Sequence, residues 1–142
     1  MQKSVLWVED TEGDRLLISQ ALEQLNRSQP FMVTNGEEAL RVLKSPGDRF
    51  ENGLPSLIVL DLNLPGKNGD EILEEIKSEP RFKNIQVAMF STSDDKRYIE
   101  RCSDLGACRY FVKPVEVEDF FRVVGEIVEL WMEIRRTHPT GN

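Results

Sequence analysis

Two acidic residues close the first apolar run of the chain, in Val5-Leu6-Trp7-Val8-Glu9-Asp10, and a third closes another, in Leu57-Ile58-Val59-Leu60-Asp61. Carboxylates brought together repel one another unless a cation neutralises them. An all-oxygen donor set suits Mg²⁺, which keeps several waters and takes only one or two protein carboxylates directly. Two further runs end on complementary chemistry, hydroxyls in Phe90-Ser91-Thr92-Ser93 and an amine in Phe111-Val112-Lys113-Pro114. A hydroxyl donor and an ammonium facing a metal-bound carboxylate are the groups needed to hold phosphoryl oxygens. Each feature alone has an ordinary explanation, since Asp and Ser cap helices and a lone Lys is commonly solvated. Acids closing two separate runs, with Ser and Lys closing two more, are poorly explained by capping and read together as one site.

The segments that must carry these residues alternate in kind. Short β-branched or apolar runs at residues 4–8, 31–34, 57–60, 86–90 and 109–112 have the length of strands, and several are apolar enough to be buried on both faces. Between them apolar residues recur at helical spacing: Leu16, Leu17, Ala21, Leu22 and Leu25; Ala39, Leu40 and Leu43; Ile72, Leu73 and Ile76; Ile99, Cys102 and Leu105. Five βα units predict an α/β domain with a parallel sheet and right-handed crossovers. In such a sheet ligands bind at the carboxyl ends of the strands, where strand order reverses, so the chemistry-bearing residues fall at the expected edge. Residues 45–56 hold two prolines and two glycines and read as an exposed connection, a tolerated surface insertion.

Composition narrows the partners. The 142 residues include 25 acidic and 18 basic side chains, a formal charge of −7, which argues against a general nucleic-acid binder. Residues 1–10 lack the apolar run of a signal peptide, and no stretch approaches the roughly 20 apolar residues of a membrane span, so a cytoplasmic protein is expected. Cys102 and Cys108 are too few for a disulfide framework, and His138, the sole histidine, stands in a polar tail unsuited to zinc.

The motifs Glu9-Asp10, Leu60-Asp61-Leu62-Asn63-Leu64-Pro65-Gly66-Lys67-Asn68-Gly69, Phe90-Ser91-Thr92-Ser93 and Tyr110-Phe111-Val112-Lys113-Pro114 stand in the order and spacing of one family. The chain resembles the receiver domain of two-component response regulators over essentially its whole length, and is similar to the single-domain regulators paired with phytochrome-type kinases. The resemblance implies a flavodoxin-like (βα)5 doubly wound fold with a five-stranded parallel sheet in order 2-1-3-4-5, a receiver domain over residues 1–136 and a polar tail over 137–142. It implies that Asp61 accepts a phosphoryl group from a histidine kinase. Asp10, Glu9, Asp61 and the backbone carbonyl of Asn63 would serve Mg²⁺, Lys113 and Ser91 would hold the phosphoryl group, and Tyr110 would report it by rotating inward. Thr92 stands where many members have Ala, and Lys113-Pro114 is a candidate cis peptide on the same resemblance. A metal-dependent phosphohydrolase would want a second acid two residues after Asp61, where this chain has Asn63. An interaction module that never turns over phosphate would lack an acid or the lysine, and all are present.

The last helical stretch carries two apolar stripes at about 100° per residue. Val117, Phe120, Phe121, Val124, Val128 and Trp131 form one, expected to pack on the sheet; Val123, Ile127, Leu130 and Ile134 form the other. One stripe suffices for a core, so the second predicts an exposed seam covered by a second copy in a twofold homodimer, with Tyr110 placed to bias it.

Overall fold

A computed structural model describes residues 2–137; residues 138–142 of the expected polar tail, His138 among them, lie outside the described residues. Five parallel strands, β1 (Val5–Val8), β2 (Phe31–Val33), β3 (Leu57–Leu60), β4 (Gln86–Ser91) and β5 (Arg109–Val112), alternate with α1 (Glu12–Gln24), α2 (Gly36–Lys44), α3 (Gly69–Ser78), α4 (Lys96–Asp104) and α5 (Val117–Thr137). The sheet runs β2-β1-β3-β4-β5, the flavodoxin-like order, so the reversal of strand order falls between β1 and β3. Register does the positioning. Val8 pairs with Leu60 and Ser91 with Val112, which sets Glu9 beside Asp61 and Lys113 beside Ser91 at one edge.

Alternation along each strand divides the core between two faces. Leu6, Val8, Ile58 and Leu60 point to α2, α3 and α4, where Ala39, Leu43, Ile72, Ile76 and Cys102 meet them. Trp7, Val59, Ala88 and Phe90 point to α1 and α5. The helices begin where local chemistry satisfies free amides. Asn35 Oδ1 accepts from the Glu38 amide at 2.8 Å, Glu71 Oε1 accepts from the Asn68 amide at 3.1 Å, and Asp95 Oδ1 accepts from the Arg97 amide at 2.9 Å. Among the described residues no helix is long and apolar enough to cross a membrane.

Four expectations are refined or change. Residues 45–56 are largely exposed, as expected, but they are anchored: Phe50 is buried, its ring lies edge-on to Phe31 at 6.1 Å, and the segment is stitched to the chain start. The Lys3 amide donates to the Arg49 carbonyl at 2.7 Å and the Glu51 amide to the Lys3 carbonyl at 2.9 Å, so the connection shields the amino end of β1. On α1 the face is rotated: Ile18, Ala21 and Leu22 are buried while Leu16 and Leu25 are exposed, because the sheet lies under Ile18.

The third change concerns α5. Val123, Ile127, Leu130 and Ile134, expected as an exposed dimer seam, are all buried within the single chain. The helix lies in the angle between the sheet and α1, so a second face is covered by Ile18, Ala21 and Leu22 without any partner molecule. In the stripe expected on the sheet, Phe120, Val124 and Val128 are buried, Phe121 and Trp131 are half-buried, and Val117 is exposed. The Lys113–Pro114 peptide is trans, the ordinary preference even before proline.

Candidate functional site

The site forms at the carboxyl edge of the sheet. β1 ends in Glu9, whose side chain is fully buried, and in Asp10, which is exposed; β3 ends in the buried Asp61. Carboxylate oxygens of Glu9, Asp10 and Asp61 lie within 4.8 Å of one another. The turn after β1 is clamped by Arg15, whose Nη1 donates to the carbonyls of Glu9 at 3.1 Å and Asp10 at 2.8 Å. After β3, Asp61 Oδ1 accepts from the Asn63 amide at 3.1 Å, and Gly66 takes φ +74°, a conformation that costs glycine little. Gly69 serves by its small size: its φ is ordinary, but a Cβ there would collide with the Asp61 carbonyl, and its amide donates to the Leu62 carbonyl at 2.7 Å. The close approach of α3 to the strand end, and so the placement of Asp61, requires glycine.

Lys113, almost fully buried, is the hub. Its Nζ lies 2.7 Å from Asp61 Oδ2, 2.6 Å from Glu9 Oε1 and 2.9 Å from Asp14 Oδ2, and sits over the Phe90 ring at 5.6 Å. Burial works against its charged form, but Asp61 and Glu9 outweigh burial and hold its pKa above the ordinary lysine value. Burial pushes Glu9 up from 4.5 to about 7 despite the nearby ammonium, with the Asp61 charge acting in the same direction. Glu9 Oε1 has no directed hydrogen bond, and its Oε2 accepts only from the Thr11 amide at 3.2 Å. One ammonium is shared among these carboxylates, and the three hard oxygen donors of Glu9, Asp10 and Asp61 together fit a divalent cation.

Ser91, at the end of β4, is fully buried, and its Oγ accepts long contacts from Asn63 Nδ2 at 3.5 Å and the Ser93 amide at 3.4 Å. Tyr110 of β5 is half-buried, its hydroxyl donating to the Ser93 carbonyl at 2.8 Å, and burial raises its pKa. Every edge residue singled out in the sequence therefore lies in or beside one cluster: Glu9, Asp10, Asp61, Asn63, Ser91, Lys113 and, through Ser93, Tyr110. Asp14 was missed. Its spacing of one helical turn from Asp10 is visible in sequence, but its partner Lys113 is 99 residues away and only the fold brings them together.

A parallel sheet in this order, with carboxylates at its reversal point and a lysine and hydroxyl at neighbouring strand ends, defines a doubly wound α/β protein with a charged, cation-suited carboxyl edge. The family model of the response regulator receiver domain matches residues 5–124, and the chain belongs to that family. It is 33% identical to the response regulator Rcp1 of Synechocystis sp. over 132 residues, covering 92% of this chain and 90% of that protein. Among solved structures it is similar to the phosphorylated cyanobacterial phytochrome response regulator RcpA, with 38% identity and a TM-score of 0.78 over 93% of this chain and 95% of the other. It is likewise similar to the Mn²⁺-bound form of Rcp1, with 34% identity and a TM-score of 0.77 over 92% and 95% of the two chains. The chain is thus a receiver of the two-component type, and the phosphohydrolase alternative is left without support.

Proposed function

We propose that this receiver accepts a phosphoryl group on Asp61 from a sensor histidine kinase of the phytochrome type, in a Mg²⁺-dependent reaction, and signals in the cytoplasm through protein contacts. The observation that carries the reading is the buried contact of Lys113 Nζ with Asp61 Oδ2 at 2.7 Å, beside carboxylates suited to a cation. A phosphohistidine donor presents phosphorus in line with an Asp61 oxygen. An electron pair from that oxygen forms the new O–P bond while the P–N bond breaks; the bonding pair leaves with the imidazole nitrogen, and the product is a mixed anhydride on Asp61.

Glu9, Asp10, Asp61 and the Asn63 carbonyl would hold Mg²⁺, which supplies charge neutralisation for the phosphoryl oxygens. Lys113 places a second positive charge on those oxygens, and the buried Ser91 hydroxyl has a proton to donate to them. Tyr110, tied to the Ser93 carbonyl two residues from Ser91, is placed to follow the movement of that loop. The phytochrome-type partner is supported by the likeness to RcpA and to other bacteriophytochrome response regulators.

Incubation of the full chain with acetyl phosphate and MgCl2, followed by intact mass, tests the reading. A stoichiometric gain of about 80 Da, one phosphoryl group, is expected in the wild type and absent in Asp61→Asn. An unmodified wild type, or an equal adduct in Asp61→Asn, overturns it.

A further inference from the structure

Lys113 has three carboxylate partners, and one of them stands apart. Glu9 and Asp61 belong to the oxygen cluster that can close on a cation; Asp14, from the first turn of α1, does not. Three carboxylates around one ammonium leave an excess of two negative charges, the charge that a divalent cation brings. Cation and lysine therefore complement each other in this cluster. Yet the same oxygens cannot serve both equally, and a cation drawing on Glu9 and Asp61 withdraws two of the three contacts that hold Lys113. A lysine stem is flexible and loses its rotamer freedom only against a firm partner.

We propose that Asp14 is a positioning residue: it keeps Lys113 in the site when a divalent cation takes over Glu9 and Asp61. The inference rests, for its consequence in phosphoryl transfer, on the reading of Asp61 as phosphoacceptor. The geometry suits the task. Asp14 Oδ2 is 2.9 Å from Lys113 Nζ, its side chain is about a quarter exposed while that of Lys113 is 4% exposed, and it sits at the mouth of the site on a rigid helix. Asp14 also lies in the first turn of α1, where a carboxylate complements the helix dipole.

The test is a double-mutant cycle of Asp14→Asn and Lys113→Met in the full chain, read by thermal unfolding in EDTA and again in saturating MgCl2, with Lys113→Gln in place of Lys113→Met should the latter not fold. Coupling between the two positions is expected in both conditions, with Asp14→Asn lowering Tm by about 3 °C in each. Coupling that vanishes in MgCl2 overturns the proposal, because Asp14 would then hold Lys113 only while the cation is absent. With acetyl phosphate at saturating MgCl2 and donor, Asp14→Asn is expected to be phosphorylated about tenfold more slowly, and Asp14→Glu to recover part of the rate. The MgCl2 midpoint should move less than about threefold, since Asp14 is not among the cation's ligands. A wild-type rate in Asp14→Asn, beside a wild type that is phosphorylated, overturns the proposal and leaves the phosphoacceptor reading standing. A wild type that acquires no phosphoryl group refutes that reading instead, and the thermal cycle in MgCl2 still decides whether Asp14 holds Lys113.

Discussion

The two helices that flank β5 in sequence are held in opposite ways. α5 buries seven residues over 21, wedged between the sheet and α1. α4 buries only Cys102 over nine, and its other ties are few: Arg101 Nε on Asp70 Oδ2 of α3 at 2.8 Å, and the cluster where Cys102 meets the half-buried Tyr110. Burial of apolar surface is the main stabilising force, so α5 behaves as part of the core and α4 as an attached element. Between them β5 delivers Lys113 and Tyr110, one to the charged edge and one toward α4. With one buried residue, α4 is the less costly of the two helices to displace, and α5 the firmer support. The half of this pair that the sequence marked as an interface, the second α5 stripe, is the better-anchored one.

The contrast is testable by perturbing each side. Ile127→Ala in α5 is expected to cost about 3 kcal/mol in urea unfolding, a core truncation where α1 and the sheet cannot close the gap. A loss no larger than that of an α4 variant would break the comparison. The charged edge between the helices should show its strain as pH dependence. Glu9, raised to about 7 by burial, binds a proton more readily in the folded chain than in the unfolded one, where its value is near 4.5. The contribution of Glu9 to metal-free stability is therefore fully present below about pH 4.5 and is lost as pH rises through about 7, on the order of 2 kcal/mol, and Glu9→Gln should remove that component of the slope in a urea series across pH. Cys102→Ala, the one core truncation available in α4, should cost about 1–2 kcal/mol. Smallest is Tyr110→Phe, which loses the bond to the Ser93 carbonyl and about 1 kcal/mol. Amide hydrogen exchange in that variant should quicken in α4 and remain unchanged in α5; equal acceleration in both would show that the two helices open as one unit.

Much of the site was legible because it lies at strand ends. A strand is short and its direction is plain from its apolar run, so an acid, hydroxyl or lysine that closes it is placed at a known edge as soon as the sheet is known to be parallel. Asp61, Glu9, Ser91 and Lys113 were found in this way, and the order of the strands was carried by family resemblance. Helix faces were less legible. Periodicity states which residues share a side but not how many sides are covered, so the second stripe of α5 looked exposed and Leu16 looked buried. In the same manner, the turn residues of 45–56 concealed Phe50, whose burial depends on a bridge to Lys3 across the domain.

By itself, then, the sequence determined the five βα units, the chemistry available at the strand ends and the acidic net charge of −7, all consequences of residue type and local period. Only the tertiary structure decided that α1 covers the second face of α5, that Gly69 is needed for close approach and not for backbone freedom, and that Asp14 faces Lys113. Each of these depends on groups far apart in the chain, whose meeting is set by packing geometry and leaves no local pattern to read.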